Sequence, residues 1–285
     1  MSYNAIERSI DLGVPVTLFE FIYGPTSGDA YRYATTIDTI SVAGRSWNPH
    51  NLTHSDIVST GKLDRAEVVV TARPDIEVAG LFLSAPPSQP VALNIWRGHA
   101  LPDMDGWDEF IRVWVGRVLV AQWSGPTVEF KCEPVATSAK RVGLRRHYQY
   151  GCPHVLYGRA CGVSELANTT RVKVRYAGTQ VDILVDPVPG GGPAINPAQL
   201  AGGIFTLTLP DGREAKRTIV AAASTDGGIA LVLMSPLPGI LNGASAAVAR
   251  GCAHTFDACR SFNNTSNYGG CPSIPTKDPF RSNTF

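Results

Sequence analysis

The sequence predicts a mainly β protein: an N-terminal β domain, a small inserted β-barrel or sandwich module, and a loop-rich segment that carries cysteines. Three observations lead there. Runs rich in β-branched and aromatic residues recur along the chain and are separated by turn-forming residues. The 285 residues include 28 Gly and 21 Pro, which favours many turns and short strands over long helices. Hydrophobic residues make up 44% and charged residues only 17%, below the roughly 25% of an average domain, so composition allows a sizeable core.

In chain order, VPVTLFEFIYG reads as a strand ending at the turn GPTSG. AYRYATT and DTISVAGRSW read as two further strands. RAEVVVTA, VALNIWRG, FIRVWVGRVLVAQW and TVEFKCEP continue the pattern, the last two as a hairpin turning at SGP. One helix is predicted near Val135–Tyr148, with Thr137 or Ser138 as its cap. Its polar face would carry the basic run Lys140, Arg141, Arg145 and Arg146. After a cysteine-bearing loop, strands are predicted at Arg171–Ala177, Gln180–Val185, Gly203–Leu209, Arg213–Ala223 and Gly228–Met234. LPDGRE and TDGGI supply tight turns, and PVPGGGPAINP a flexible loop. The domains that follow are 1–135, an N-terminal β domain; 136–164 with 251–285, a cysteine domain; and 165–250, an inserted β module without cysteine.

Formal net charge is +1, so global charge suggests neither a nucleic-acid nor a membrane partner. No apolar run approaches the roughly 20 residues of a membrane span, so no membrane insertion is expected. MSYNAIERSIDLG lacks a secretory pattern, which predicts folding in a bacterial-type cytoplasm where thiols stay reduced. Cysteines are then expected to be ligands more often than disulfides. Disulfides stay open as an alternative wherever the folded protein later meets oxidising conditions.

Six cysteines are present. Cys152 and Cys161 form a C-x8-C pair, and Cys252 and Cys259 a C-x6-C pair; each pair opens with Gly-Cys. Soft thiolates select zinc or iron–sulfur clusters, and four of them can close a tetrahedral zinc site or hold one [4Fe–4S] cluster. Neither pair has the short knuckle spacing usual for zinc, which leaves room for a bulkier cluster. Cys132, on a predicted strand, reads as a small buried hydrophobe. Cys271 reads as a non-ligand or an alternative ligand. His154 and His254 each follow a cysteine by two residues and are weighed as ligands or as local hydrogen-bonding groups. Cys252, His254 and Asp257 could be drawn as a nucleophilic set, but residues so close in sequence rarely meet its geometry. No nucleophile elbow, P-loop or H-E-x-x-H occurs, so no enzyme is predicted.

YGCPHVLYGRAC and GCAHTFDACRSFNNTSNYGGCPSIPTKDPF resemble the C-terminal signature of a tail-hub family of long-tailed phages and phage-like gene transfer agents. The matching positions are Leu156–Gly158, Phe262–Asn264, Asn267–Gly270, Pro272–Pro275 and Asp278–Phe280, with Cys271 and Asp278 departing from the pattern. The cysteine spacing is also similar to that of lambda-type tail-tip proteins. The resemblance implies a non-enzymatic virion protein of the tail or baseplate, with a tail-associated cell-wall hydrolase as the alternative. It would form a homotrimer between the distal tail protein ring and the central tip or fibre protein. It implies a [4Fe–4S] cluster on Cys152, Cys161, Cys252 and Cys259, with Cys271 as a possible alternative ligand and zinc as the runner-up. Asn263, Asn264, Asn267, Gly269 and Gly270 would permit tight turns around it, and Arg159 and Arg260 would offset its charge or be solvated. DNA would meet the protein only in passing through the channel, where the basic run would either touch it or form a solvated face or subunit contact.

Overall fold

The computed structural model describes residues 14–24, 30–58, 67–83, 86–100, 110–140, 143, 147–177, 181–209, 213–237, 240 and 242–274. The chain divides into two compact units, 1–142 and 143–285. The cysteine loops and the β module between them belong to the second.

The first unit is a nine-stranded sheet built from β1 (Val14–Ile22), β2 (Ala30–Ala34), β3 (Ile40–Val42), β4 (Arg45–Pro49), β5 (Leu52–His54), β6 (Val68–Ala72), β7 (Val91–Ala100), β8 (Ile111–Ser124) and β9 (Thr127–Pro134). Its spatial order is β3-β4-β2-β1-β7-β8-β9-β6-β5. Successive side chains of a strand face opposite sides of the sheet. In β1 the odd positions Phe19 and Phe21 enter a core with Val70, Leu93, Ile95 and Phe130. The even positions Val16 and Leu18 enter another with Trp47 and Phe110. A strand apolar on both faces is a central strand. Glu20, also on β1, is 3% exposed and accepts hydrogen bonds from Arg32, Arg45 and Asn94. Three donors offset the desolvation of its carboxylate.

The β module is a closed six-stranded antiparallel barrel of β10 (Thr169–Ala177), β11 (Asp182–Pro187), β12 (Ile204–Thr208), β13 (Glu214–Thr225), β14 (Gly228–Leu233) and β15 (Ser245–Ala249), in the order β10-β11-β14-β13-β12-β15. Of the two shapes expected, barrel or sandwich, it is the barrel. Inward positions alternate along each strand and fill the interior with Val172, Val174, Ile183, Val185, Phe205, Leu207, Ile219, Leu231 and Val248. Closure gives each strand two neighbours and leaves no sheet edge. It also pairs the first barrel strand with the last: Thr169 lies opposite Ala249 and Thr170 opposite Val248. The two ends of the insertion are therefore held side by side.

Several elements differ from expectation. DTISVAGRSW is not one strand but the hairpin β3–β4, turning at Ala43 and Gly44, whose φ values are +50° and +70°. Both turn residues adopt the left-handed conformation that suits the twist of a tight hairpin. The predicted helix is shorter and of another kind: Val135–Lys140 is a 3-10 helix, and the described residues 143, 147 and 148 are not helical. Thr137 donates its hydroxyl to the Pro134 carbonyl and does not cap an N–H group. Arg141, Arg145, Arg146, the turn residues 210–212 and everything after Ile274, Pro275 and Asp278–Phe280 included, lie outside the described residues. The terminal cysteine segment contains a short α-helix, α1 (Phe256–Ser261), capped by Thr255, whose Oγ1 accepts from the Ala258 N–H at 3.2 Å. Among the described residues no helix is long and apolar enough to cross a membrane.

Candidate metal centre

Barrel closure decides where the cysteines go. One loop, 152–161, leads into β10, and the other, 252–259, leaves β15. Because β10 and β15 are paired, both loops emerge together, and the Arg250 N–H bonds the Asn168 carbonyl at 3.1 Å as the ladder ends. The backbone then crosses between the loops: the Cys152 N–H donates to the His254 carbonyl at 2.8 Å.

Cys152, Cys161, Cys252 and Cys259 line one pocket, together with His154, Leu156, Val163, Phe262 and Asn264. Its empty space is about 350 Å³, mouth included. All six cysteines of the chain are free thiols. Among the described residues, the pocket wall does not include Cys271, whose N–H bonds the Gln149 carbonyl at 2.8 Å. Cys132 lies in the core of the first unit at 2% exposure, where burial pushes its thiol up to about 12.

The residues of the two motifs hold this arrangement. Asn264 donates from Nδ2 to the Cys161 carbonyl at 2.6 Å, and its own N–H bonds the Cys259 carbonyl at 3.2 Å, so one side chain ties both loops. Asn267 in turn donates to Asn264 Oδ1 at 2.7 Å. Leu156 reaches the pocket, while the Tyr157 hydroxyl donates to the Arg250 carbonyl at 2.5 Å. The Tyr268 hydroxyl donates to the Tyr150 carbonyl at 2.7 Å, and its ring stands edge-on to Phe256. The Gly269–Gly270 pair has a steric cause. A Cβ at 269 would strike the His154 ring, and one at 270 the backbone of Tyr150 and Gly151. The two Gly-Cys openings are not equivalent. A Cβ at Gly251 would run into the Ala201 carbonyl, whereas one at Gly151 would meet only the His254 carbonyl at 3.7 Å.

The pocket offers sulfur acceptors and N–H donors aimed at them. The His254 N–H points to Cys252 Sγ at 3.3 Å and the Gly269 N–H to Cys152 Sγ at 3.4 Å. Asn264 Nδ2 lies 3.9 Å from Cys161 Sγ. Cys259, 8% exposed, donates its thiol to the Asn264 carbonyl at 3.0 Å, a proton that ligation would release. Burial raises the pKa of both Cys252 and Cys259, and the neighbouring thiols raise them further. The His254 N–H and Arg250 oppose the rise at Cys252. Such a set fits a thiophilic centre: soft donors converge, and hydrogen bonds to sulfur are one of the protein's means of tuning such a centre.

Other residues read from the sequence have different partners. His254 Nδ1 hydrogen-bonds the Cys152 carbonyl at 3.0 Å, and Asp257 pairs with Arg260 at 3.1 Å. The nucleophilic set Cys252–His254–Asp257 is therefore not assembled. Arg159 is exposed, and Arg260 lies over the Phe256 ring. Arg250 escapes sequence reasoning, since nothing in VARGC distinguishes it from a strand-end cation.

Comparison with known proteins bears on identity. Residues 200–278, which include the second cysteine loop, match the model of the family described as phage conserved hypothetical protein BR0599. The fold of the whole chain is similar to that of a chain in the virion of a native gene transfer agent particle. The TM-score is 0.75 at 14% identity, over 99% of this chain and 94% of the other. No curated protein matches the chain in sequence. The resemblance to phage and gene-transfer-agent tail proteins drawn from the cysteine loops is thus borne out by a phage family match and by the fold.

Proposed function

We propose that this chain is a non-enzymatic structural component of a phage-like tail, a hub protein whose second unit is stapled by a [4Fe–4S] cluster on Cys152, Cys161, Cys252 and Cys259. The observation that carries the reading is the convergence of four thiols, from two loops separated by a whole barrel, on one pocket. The phage family match and the fold shared with a gene-transfer-agent virion chain support the location in a particle. In that setting the chain works as a homotrimer between the distal tail ring and the central tip or fibre protein.

A cluster suits the pocket better than a single zinc. Four sulfurs about a zinc at roughly 2.3 Å must crowd within about 4 Å of one another. Neither the C-x8-C nor the C-x6-C pair has the short knuckle spacing usual for such a site. The thiolates of a cuboidal cluster each bind a different iron and stand farther apart. When bound, the cluster would supply ligand bonds that hold two loops with little apolar surface of their own. The chain's own residues would provide the four sulfurs, the N–H donors to them and the glycine-lined approach.

The test is anaerobic purification followed by iron, sulfide and zinc analysis. About four iron and four sulfide per chain, lost together in Cys152→Ser and Cys252→Ser, is the expected result. One zinc without sulfide would replace the cluster with the zinc alternative, and neither metal would remove the staple. The hub role is tested separately: particles made without the chain should lack a complete tail tip in electron micrographs, and the chain should sediment as a trimer.

A further inference from the structure

Arg250 stands between the last barrel strand and Cys252, and its groups face three ways. Its N–H holds the Asn168 carbonyl beside the start of β10, and its carbonyl receives the Tyr157 hydroxyl of the first loop. Its guanidinium donates from Nη2 to Ser261 Oγ at 2.7 Å and stacks 4.3 Å from the centroid of Phe262, a pocket-lining ring. The Nε–H is buried without a partner. Among the described residues the guanidinium forms no ion pair, so its charge is uncommitted. Its stack on Phe262 sets that charge one ring away from the thiol pocket. A lone buried donor and an unneutralised cation both carry a cost, which an anionic neighbour removes.

We infer that Arg250 is a positioning residue of the thiol pocket, fastening both cysteine loops to the barrel and offsetting the negative charge of the ligated thiolates. This rests on the proposed metal centre for its charge role, but not for its fastening role. Four thiolates gathered in one pocket repel each other, and a fixed guanidinium behind one of them lowers that repulsion. Net charge around a cluster is also one of the determinants of its potential.

The experiment uses the full chain and the variants Arg250→Met, Arg250→Lys and Tyr157→Phe. The midpoint potential of the anaerobically purified protein is measured by optical redox titration. Hydrogen exchange is followed in protein stripped by chelator. Arg250→Met should move the potential to more negative values, because an added electron loses a stabilising cation. Arg250→Lys should stay nearer the native value. In stripped protein Arg250→Met should raise exchange several-fold over 255–268, and Tyr157→Phe over 152–162, while β12 keeps its protection. If Arg250→Met does not fold, Arg250→Lys, which loses the planar stack, decides the exchange comparison. An unchanged potential overturns the charge role, and unchanged exchange overturns the fastening role. Native protein without iron and sulfide overturns the metal reading instead, and the exchange comparison still decides the rest.

Discussion

The barrel and the two cysteine loops share one compact unit but are held together by different means. The barrel buries a continuous set of aliphatic and aromatic side chains, with Phe205, Val185 and Ile219 at 0% exposure. The loops bury little: of the four pocket cysteines only Cys259 counts as buried, and the segment around it is a chain of side chain-to-backbone hydrogen bonds. Each such bond contributes about 1 kcal/mol net, against roughly 1–2 kcal/mol of backbone entropy per ordered residue. Hydrophobic burial can stabilise the barrel unaided. The loops bury less, and the converging thiols are where the proposed metal centre would add stability.

This contrast can be broken most forcefully from the barrel side. Phe205→Ala should cost about 3–5 kcal/mol in denaturant unfolding. The loss should be the same with and without chelator, and a chelator-dependent loss would mean that the two regions are not separately stabilised. Next in size is Gly251→Ala, whose Cβ meets a backbone carbonyl that cannot rotate away. It should fall at the upper end of the roughly 1–3 kcal/mol of overpacking. Gly151→Ala, with ordinary contact at 3.7 Å, should change stability by no more than about 0.5 kcal/mol. Equal effects at the two Gly-Cys openings would remove the asymmetry between the loops.

A third test concerns the thiol outside the site. Cys132 has its pKa raised by burial to about 12 from the ordinary 9.0. The folded state therefore keeps a proton that the unfolded state releases, and this stabilisation is fully present below pH 9 and fades as pH rises towards about 12. Stability should fall by up to about 1.4 kcal/mol per pH unit more steeply in the native chain than in Cys132→Ala over that window. Parallel slopes would show that the thiol is not buried in solution. The smallest effect belongs to the exposed pair Asp257–Arg260. Asp257→Asn should alter the melting free energy by less than about 0.5 kcal/mol, and a larger loss would make α1 a stronger element than its exposure implies.

Much of the fold is legible in the sequence where apolar alternation is strong, as in TVEFKCEP, whose predicted and observed bounds coincide at Thr127–Pro134. It fades where the physics is not in the side-chain pattern. β15 reads SAAVA, and alanine has weak strand preference, yet this strand closes the barrel and joins the loops. α1 is six residues among Gly, Asn and Pro, too short to show a helical period. Ala43 occupies a left-handed turn position where Gly or Asn would have announced the hairpin. For the site, the cysteines and the F-N-N and N-Y-G-G runs could be seen as a group. Why they are needed could not: the clash at Gly269 is with a ring more than a hundred positions earlier, and Arg250 acts through partners from both loops.

The antiparallel pairing of β10 with β15 has a consequence for how the site is captured. Two cysteine pairs so far apart along a flexible chain would meet at low effective concentration, and closing that distance would cost loop entropy at the moment of ligand binding. The folded barrel bears that cost beforehand. For the proposed metal centre, the two pairs would behave as one short contiguous loop, whatever the length of chain between them. The barrel's contribution to that proposed centre would be entropic, made without a cysteine of its own.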